Sequence, residues 1–204
     1  MSRTLRYSGV AAVATIWTTL LVASASTDFD LLGPDPISYL GTSGGAAALF
    51  TVGLATTAVL LTAFHGYVRS RYPVARGFSL VMLAGLAGQM VAAFVPIGGD
   101  PGAHRIHTAC ALVLGASLPL LMWRFAAGQP PGTWRRLAYC LFWIEALAGA
   151  VGLYLSTRSI APLAEILPAA AFHAWVFVVT FADAPPGRPP VERENTRIMT
   201  SVGR

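Results

Sequence analysis

Six apolar runs, each close to the length that crosses a bilayer, divide this chain and limit its fold more than any other feature. They lie near residues 8–26, 45–67, 77–96, 103–125, 135–156 and 163–182. A helix needs about 20 apolar residues to span the hydrocarbon core of a membrane. Backbone at that depth has no water to bond with, so only helices or a closed barrel are viable. Runs such as "LVMLAGLAGQMVAAFVPI" lack the alternation of a barrel strand, which leaves helices. The predicted fold class is therefore all-α, a polytopic transmembrane bundle of six helices occupying residues 1–182. Composition agrees: the chain is 55% hydrophobic and only 11% charged, whereas soluble domains carry about 25% charged residues. That excludes a soluble globule. The remaining 183–204, "DAPPGRPPVERENTRIMTSVGR", is proline-rich and polar and reads as a disordered cytoplasmic tail.

All fourteen basic residues are arginine. Arg3 and Arg6 precede the first run, and Arg69, Arg71 and Arg76 separate the second from the third. Arg124, Arg135 and Arg136 flank the next connection on the same side, and Arg188, Arg193, Arg197 and Arg204 fill the tail. Arg105 and Arg158 alone fall on the other side. Arginine-rich connections stay in the cytoplasm, so the expectation is a multi-pass cell-membrane protein with both termini cytoplasmic. The net charge of +5 does not point to nucleic acid, because the arginines sit at intervals between apolar runs rather than in a patch with interleaved aromatics. Arginine without lysine, together with abundant alanine, points to a GC-rich bacterial genome. The opening "MSRTLRYSGVAAVATIWTTLLVASAS" also has the form of a secretory leader, with Ala23-Ser24-Ala25 as its cleavage site. Its removal would set the arginine-rich loops against an outside N-terminus, so it is read as the first span.

The cytoplasmic connections "RSRYPVARG" and "GQPPGTWRR" are short turns. The first outer loop, "TDFDLLGPDPISYLGTSG", is acidic but carries Leu31, Leu32, Ile37, Tyr39 and Leu40. It is too apolar to stand free in water and is expected to fold back over the outer helix ends. Gly85, Gly88, Gly149 and Gly152 are placed to let helices approach closely. Cys110 and Cys140 differ in depth by roughly 15 Å and are read as packing residues beyond a disulfide's reach.

Two groups of residues carry chemistry. The first lies in "GGDPGAHRIHTAC", the outer connection into the fourth span. Asp100 before Pro101 makes a good helix start, with the acid as N-cap and the proline at the first helical position. His104 and His107 then sit three apart on one face. The same geometry also allows a cation site, with Asp100, His104 and His107 as zinc ligands and acids such as Asp35 or Glu165 completing the set. The second group lies within the membrane. Glu145 and His173 fall near mid-depth of adjacent antiparallel spans, with Gln89 as a further polar partner. Ionisable groups there should face the bundle interior. The pair reads either as a polar clasp that fixes packing or as a proton relay or buried ligand site. His65 lies near the cytoplasmic interface, and Pro168 in the last span withholds a backbone donor and frees a carbonyl.

The outer "DPISYLG" and the stretch "FVPIGGDPGAHRIHTACALVLGASLPL" are similar to the prokaryotic six-span family known as domain of unknown function nine-nine-eight. Ile37 and Ser38 match its first outer element, where Tyr39 replaces an acid; Pro96, Asp100 and His107 resemble its second. The resemblance spans roughly residues 8 to 182 and implies a shared fold with an outer-face site; with Asp35 and His104, read from the residues themselves, the matched Ser38, Asp100 and His107 are the ligand-binding candidates there. A more distant similarity is to the ceramidase- and progestin-receptor-like membrane hydrolases, which gather Ser, Asp and His around a zinc. Those have seven spans and a paired histidine motif late in the chain, whereas here there are six spans and only His173.

Three functions stay open. The chain is expected foremost to bind a lipid headgroup, a small ligand or a partner membrane protein at its outer face. It could instead be a metal-dependent lipid hydrolase, with metal-activated water at Asp100, His104 and His107. The third reading is a small proton-coupled transporter using Glu145 and His173.

Overall fold

A computed structural model describes residues 4–42, 44–98 and 100–182. The tail expected from residue 183 lies outside these. Among the described residues there is no strand. The elements are α1 (Thr4–Thr27), a short 3-10 helix (Ile37–Thr42), α2 (Gly44–Arg71), α3 (Phe78–Phe94), α4 (Pro101–Gly128), α5 (Thr133–Ser156) and α6 (Leu163–Phe181). Five of these, α1, α2, α4, α5 and α6, are long and apolar enough to cross a membrane.

α3 has 17 residues, which at 1.5 Å each spans about 25 Å against a hydrocarbon thickness of about 30 Å. The sequence explains where it stops. Val95 precedes Pro96, a position biased away from the helical region, and Val95 is extended with φ −110° and ψ 97°. The carbonyls just beyond α3 therefore need partners from elsewhere, and α4 supplies them at Val95 and Ile97, as described below.

The six α-helices form a ring of antiparallel hairpins. α1 pairs with α2, α3 with α4, and α5 with α6; α2 also packs on α3 and α4 on α5, and α1 meets α6 to close the ring. α5 is the most peripheral. Its buried residues are Ala138, Glu145 and Gly152, seven apart and so on a single stripe, while Trp143, Ile144, Leu147 and Leu153 are exposed. Similar exposed apolar side chains occur all round the bundle, among them Leu80, Leu112 and Val52. A water-soluble surface rarely carries so much contiguous apolar area.

Not every glycine expected at a helix contact is at one. A Cβ added at Gly152 would lie 2.5 Å from the Leu163 carbonyl oxygen, and one at Gly88 would lie 2.8 Å from that of Cys110. Backbone meets backbone at both places. Gly149 faces open space instead. Cys110 and Cys140 are both free.

The two ends of the bundle differ. Arg6, Arg69, Arg71, Arg76, Arg124, Arg135 and Arg136 all lie toward the end that holds the α2–α3 and α4–α5 connections. This arginine end is solid. Trp175 is fully buried, edge-on to Phe64 and Phe125 and stacked on Phe172. Tyr72 stacks on Trp134 and donates 2.7 Å to the Val179 carbonyl. Gln129 donates to the Pro73 and Phe125 carbonyls and accepts from the Trp134 indole N–H. Arg6 Nε donates 2.6 Å to the Thr180 carbonyl and ties the start of α1 to the end of α6. The opposite end carries Asp28, Asp30, Asp35, Asp100, Glu165, Arg105 and Arg158, and it is hollow.

Candidate functional site

The hollow is a cavity of about 250 Å³ framed by α1, α2, α3, α4, α6 and the 3-10 helix; α5 contributes nothing to its wall. Most of the wall is apolar: Leu20, Phe50, Leu54, Leu86, Leu118 and Phe172 are typical. The floor lies at Leu61, Leu121 and Phe172, against the aromatic core of the arginine end. Toward the acidic end a second hollow of about 220 Å³, reaching Gly41, Phe94 and Pro96, shares Ser38, Phe50, Ala92 and His107 with the first. Ser38 and His107 thus stand at the neck between them.

Sequence patterning builds this neck. The first outer loop folds back as expected: Ile37 and Leu40 are buried with Leu20, Ala23, Ala46 and Phe50, and Phe29 and Leu31 pack against them. Leu32 and Tyr39 remain exposed. The Gly33 carbonyl accepts from the Ala161 N–H, pinning the loop to the α5–α6 connection. The 3-10 helix then presents Ser38 to α6, where its hydroxyl donates to the Glu165 carboxylate, 3.3 Å from each oxygen. The Ser38 backbone N–H, an unpaired donor at the start of that helix, faces the same carboxylate. Glu165 is partly buried, and Ser38 supplies the hydrogen bonds given to its carboxylate among the described residues.

His107 is 4% exposed and its Nδ1 lies 2.6 Å from the Val95 carbonyl oxygen. A carbonyl only accepts, so Nδ1 carries the proton and Nε2 keeps its lone pair. His104 makes the same kind of bond, Nδ1 to the Ile97 carbonyl at 3.0 Å, but is exposed and lines neither hollow. Both histidines thus satisfy carbonyls just beyond the short α3. Asp100 caps α4, with Oδ1 accepting from the Gly102 and Ala103 amides at 2.7 and 3.2 Å. Removing that cap is a structural change alone: Asp100→Ala is expected to cost about 1 kcal/mol, seen as a lowered thermal midpoint, and to leave ligand occupancy unchanged.

These arrangements bear on the zinc reading. Asp100 is exposed and spends its cap oxygen on backbone amides, and His104 is exposed and lines neither hollow, apart from the buried His107. Among the described residues no three of His, Cys, Asp and Glu are gathered to hold a metal ion. Among the described residues the donor set does not fit a metal centre. Asp35 is exposed and lies away from the cavity wall.

At mid-depth, His173 lines the cavity and accepts from the indole N–H of Trp17 at 3.0 Å through Nδ1. Indole is a donor only, so the His173 proton sits on Nε2. The partner of His173 is therefore Trp17 on α1, while the Glu145 carboxyl lies against the Phe172 backbone, outside the cavity wall. Glu145 is 1% exposed and its Oε2 has no hydrogen-bond partner. Gln89 turns toward α2, donating 3.0 Å to the Leu54 carbonyl, and also lines the cavity. His65 bonds Ser79 near the arginine end.

Two features of the wall escaped the sequence reading. Ser38 and Glu165, far apart in the chain, meet only because the loop folds back. Pro119 in α4 acts like Pro168 in α6: each withholds the N–H that would bond the carbonyl four residues earlier. Those carbonyls belong to Gly115 and Ala164, and both residues line the cavity. The proline in "GASLPLL" was the available signal.

Compared with family models, with curated proteins and with solved structures, the chain matches none.

Proposed function

We propose that this is a six-span membrane protein of the kind its motifs resemble, with both termini cytoplasmic, which binds an amphiphilic ligand drawn from the membrane in a cavity opening to the outer face. The orientation rests on the arginine end being the cytoplasmic one. α3 counts as the sixth span, its short helix prolonged by the residues that follow it, Val95 of them extended.

The observation that carries the ligand reading is the polarity gradient of the cavity. Its lower wall is hydrocarbon; its neck holds Ser38, Glu165 and His107. Apolar cavities of about 150 Å³ hold benzene, so about 250 Å³ accommodates on the order of ten carbons. A small apolar body with a polar end fits both parts at once. The hydroxyls of Thr57 and Ser117, which also line the wall, bond carbonyls of their own helices and leave the lower region greasy.

Gly115 provides the test. It lines the cavity, and a Cβ there meets nothing within 4 Å, so a larger side chain enters the hollow without displacing backbone. Protein extracted in polymer discs without detergent and examined by native mass spectrometry should carry a small co-purifying amphiphile. Gly115→Leu should lower its occupancy at least several-fold, while Gly149→Leu, which points away from the cavity into open space, should match the wild type. An empty wild-type protein, or equal occupancy in both variants, would end the proposal.

A further inference from the structure

The cavity is selective about what its ligand can offer, because almost every free polar group on its wall is an acceptor. The Glu165 carboxylate is bonded by Ser38 alone and faces no basic side chain among the described residues. His107, at the neck, has its proton committed to the Val95 carbonyl and keeps a bare Nε2. Gln89 commits one of its two N–H groups to the Leu54 carbonyl and keeps its amide oxygen as an acceptor on a cavity-lining residue that is 5% exposed. Pro119 and Pro168 strip the carbonyls of Gly115 and Ala164 of their helical donors, and both residues are on the wall. Ser38 Oγ donates to Glu165 and can otherwise only accept. Against all these stand two donors toward mid-depth, His173 Nε2–H and the second N–H of the Gln89 amide.

Polar groups taken out of water need partners, and a carboxylate without a cation is the least tolerable of them. A headgroup that supplied more acceptors, such as a carboxylate or phosphate, would repel this neck. One with several donors and a positive charge completes it.

We infer that the ligand of this cavity is an amphiphile headed by a protonated primary amine, its ammonium seated between the Glu165 carboxylate, Ser38 and His107 Nε2, and its hydrocarbon lying along the wall toward Phe172. The inference rests on the cavity reading above and adds the class of headgroup. An ammonium carries three donors and no acceptor, which matches the three acceptors at the neck. Charge-assisted bonds of this type are the stronger class of hydrogen bond. The remaining acceptors on Gln89, Gly115 and Ala164 would suit a hydroxyl farther along the same molecule.

Octyl probes of equal chain length separate headgroup from cavity. Binding of octylamine, octanol and octanoate to the protein in phosphatidylcholine nanodiscs is measured by calorimetry, with empty discs as the blank. Octylamine, protonated at neutral pH, is expected to bind at least on the order of tenfold more tightly than octanol, with octanoate weakest. Glu165→Gln should bring octylamine down to the level of octanol and leave octanol itself unchanged. Asp35→Asn, an exposed acid at the same end and off the wall, should keep the preference, which separates a seated ammonium from general attraction to an acidic face. Gly115→Leu should weaken all three probes. If Glu165→Gln fails to fold, the wild-type ranking of the probes and its loss in Gly115→Leu decide the matter. Equal binding of octylamine and octanol, or a preference for octanoate, would overturn the amine inference while the cavity reading stands. No saturable binding of any octyl probe would overturn both.

Discussion

Trp175→Ala is expected to be the most damaging single truncation in the bundle, at about 4 kcal/mol. The indole is fully buried and meets three rings, Phe64 and Phe125 at their edges and Phe172 face on, with centroids 5.3 to 6.1 Å apart. Helices within lipid are held by packing rather than by exclusion of water, so deleting the largest interior side chain removes dispersion contacts that no lipid tail can restore from outside. The damage should spread to the ligand site, since Phe172 forms part of the cavity floor and rests on Trp175. Thermal unfolding followed by size-exclusion chromatography of the solubilised protein should show a midpoint well below wild type, with co-purified amphiphile reduced as well. A midpoint within a degree or two of wild type would mean that the arginine end is not the solid half of the fold.

Gly152→Leu should come close behind, at about 3 kcal/mol, by the opposite mechanism. The glycine sits where α5 crosses the start of α6, and an added Cβ would be 2.5 Å from the Leu163 carbonyl oxygen and 3.0 Å from the Ala164 Cα. Those are backbone atoms, so no rotamer change relieves the clash and the helices must separate. α5 has few inward positions to absorb such a separation, because its buried stripe holds only Ala138, Glu145 and Gly152. Gly149→Leu, one turn earlier and facing open space, should leave the thermal midpoint where it is. Equal effects of the two substitutions would contradict the assigned rotation of α5.

Length and polarity made most of the helical frame legible in the sequence. The six runs match the six α-helices to within four residues at each end, furthest off at the start of α1 and the end of α2, because apolar residues stop where the chain turns and because Pro96, Pro101 and the glycines punctuate it. The role of Asp100 as a cap followed from Asp before Pro. The fold-back of the first outer loop followed from its leucines. Helix rotation was not legible. An almost uniformly apolar helix has no polar face to reveal which side looks inward, so placing Glu145 and His173 at similar depth could not decide whether they touch. In the structure Trp17, an indole with a donor to satisfy, takes the His173 nitrogen instead. The histidines of α4 were visible as a pair, but their partners were not, since those partners are main-chain carbonyls of the residues just after a helix that ends early. The cavity itself left only faint marks in the sequence: small residues such as Gly115 and two mid-helix prolines, each of which has packing explanations when read one at a time. Glu165 was recognisable as an acid near the outer face; its pairing with Ser38 depended on a loop whose path no local pattern fixes.

The central claim is that an amphiphile occupies the hollow half of a six-span bundle with its polar end at the neck. A density map of the wild-type protein in native-membrane nanodiscs, with a rigid antibody fragment bound at the arginine end, tests this most directly. The account predicts a lipid belt around six helices and continuous elongated density inside, beginning beside Ser38, Glu165 and His107 and ending above Phe172. A hollow that is empty or holds only water-sized peaks would contradict it, as would a belt that leaves α3 outside the hydrocarbon.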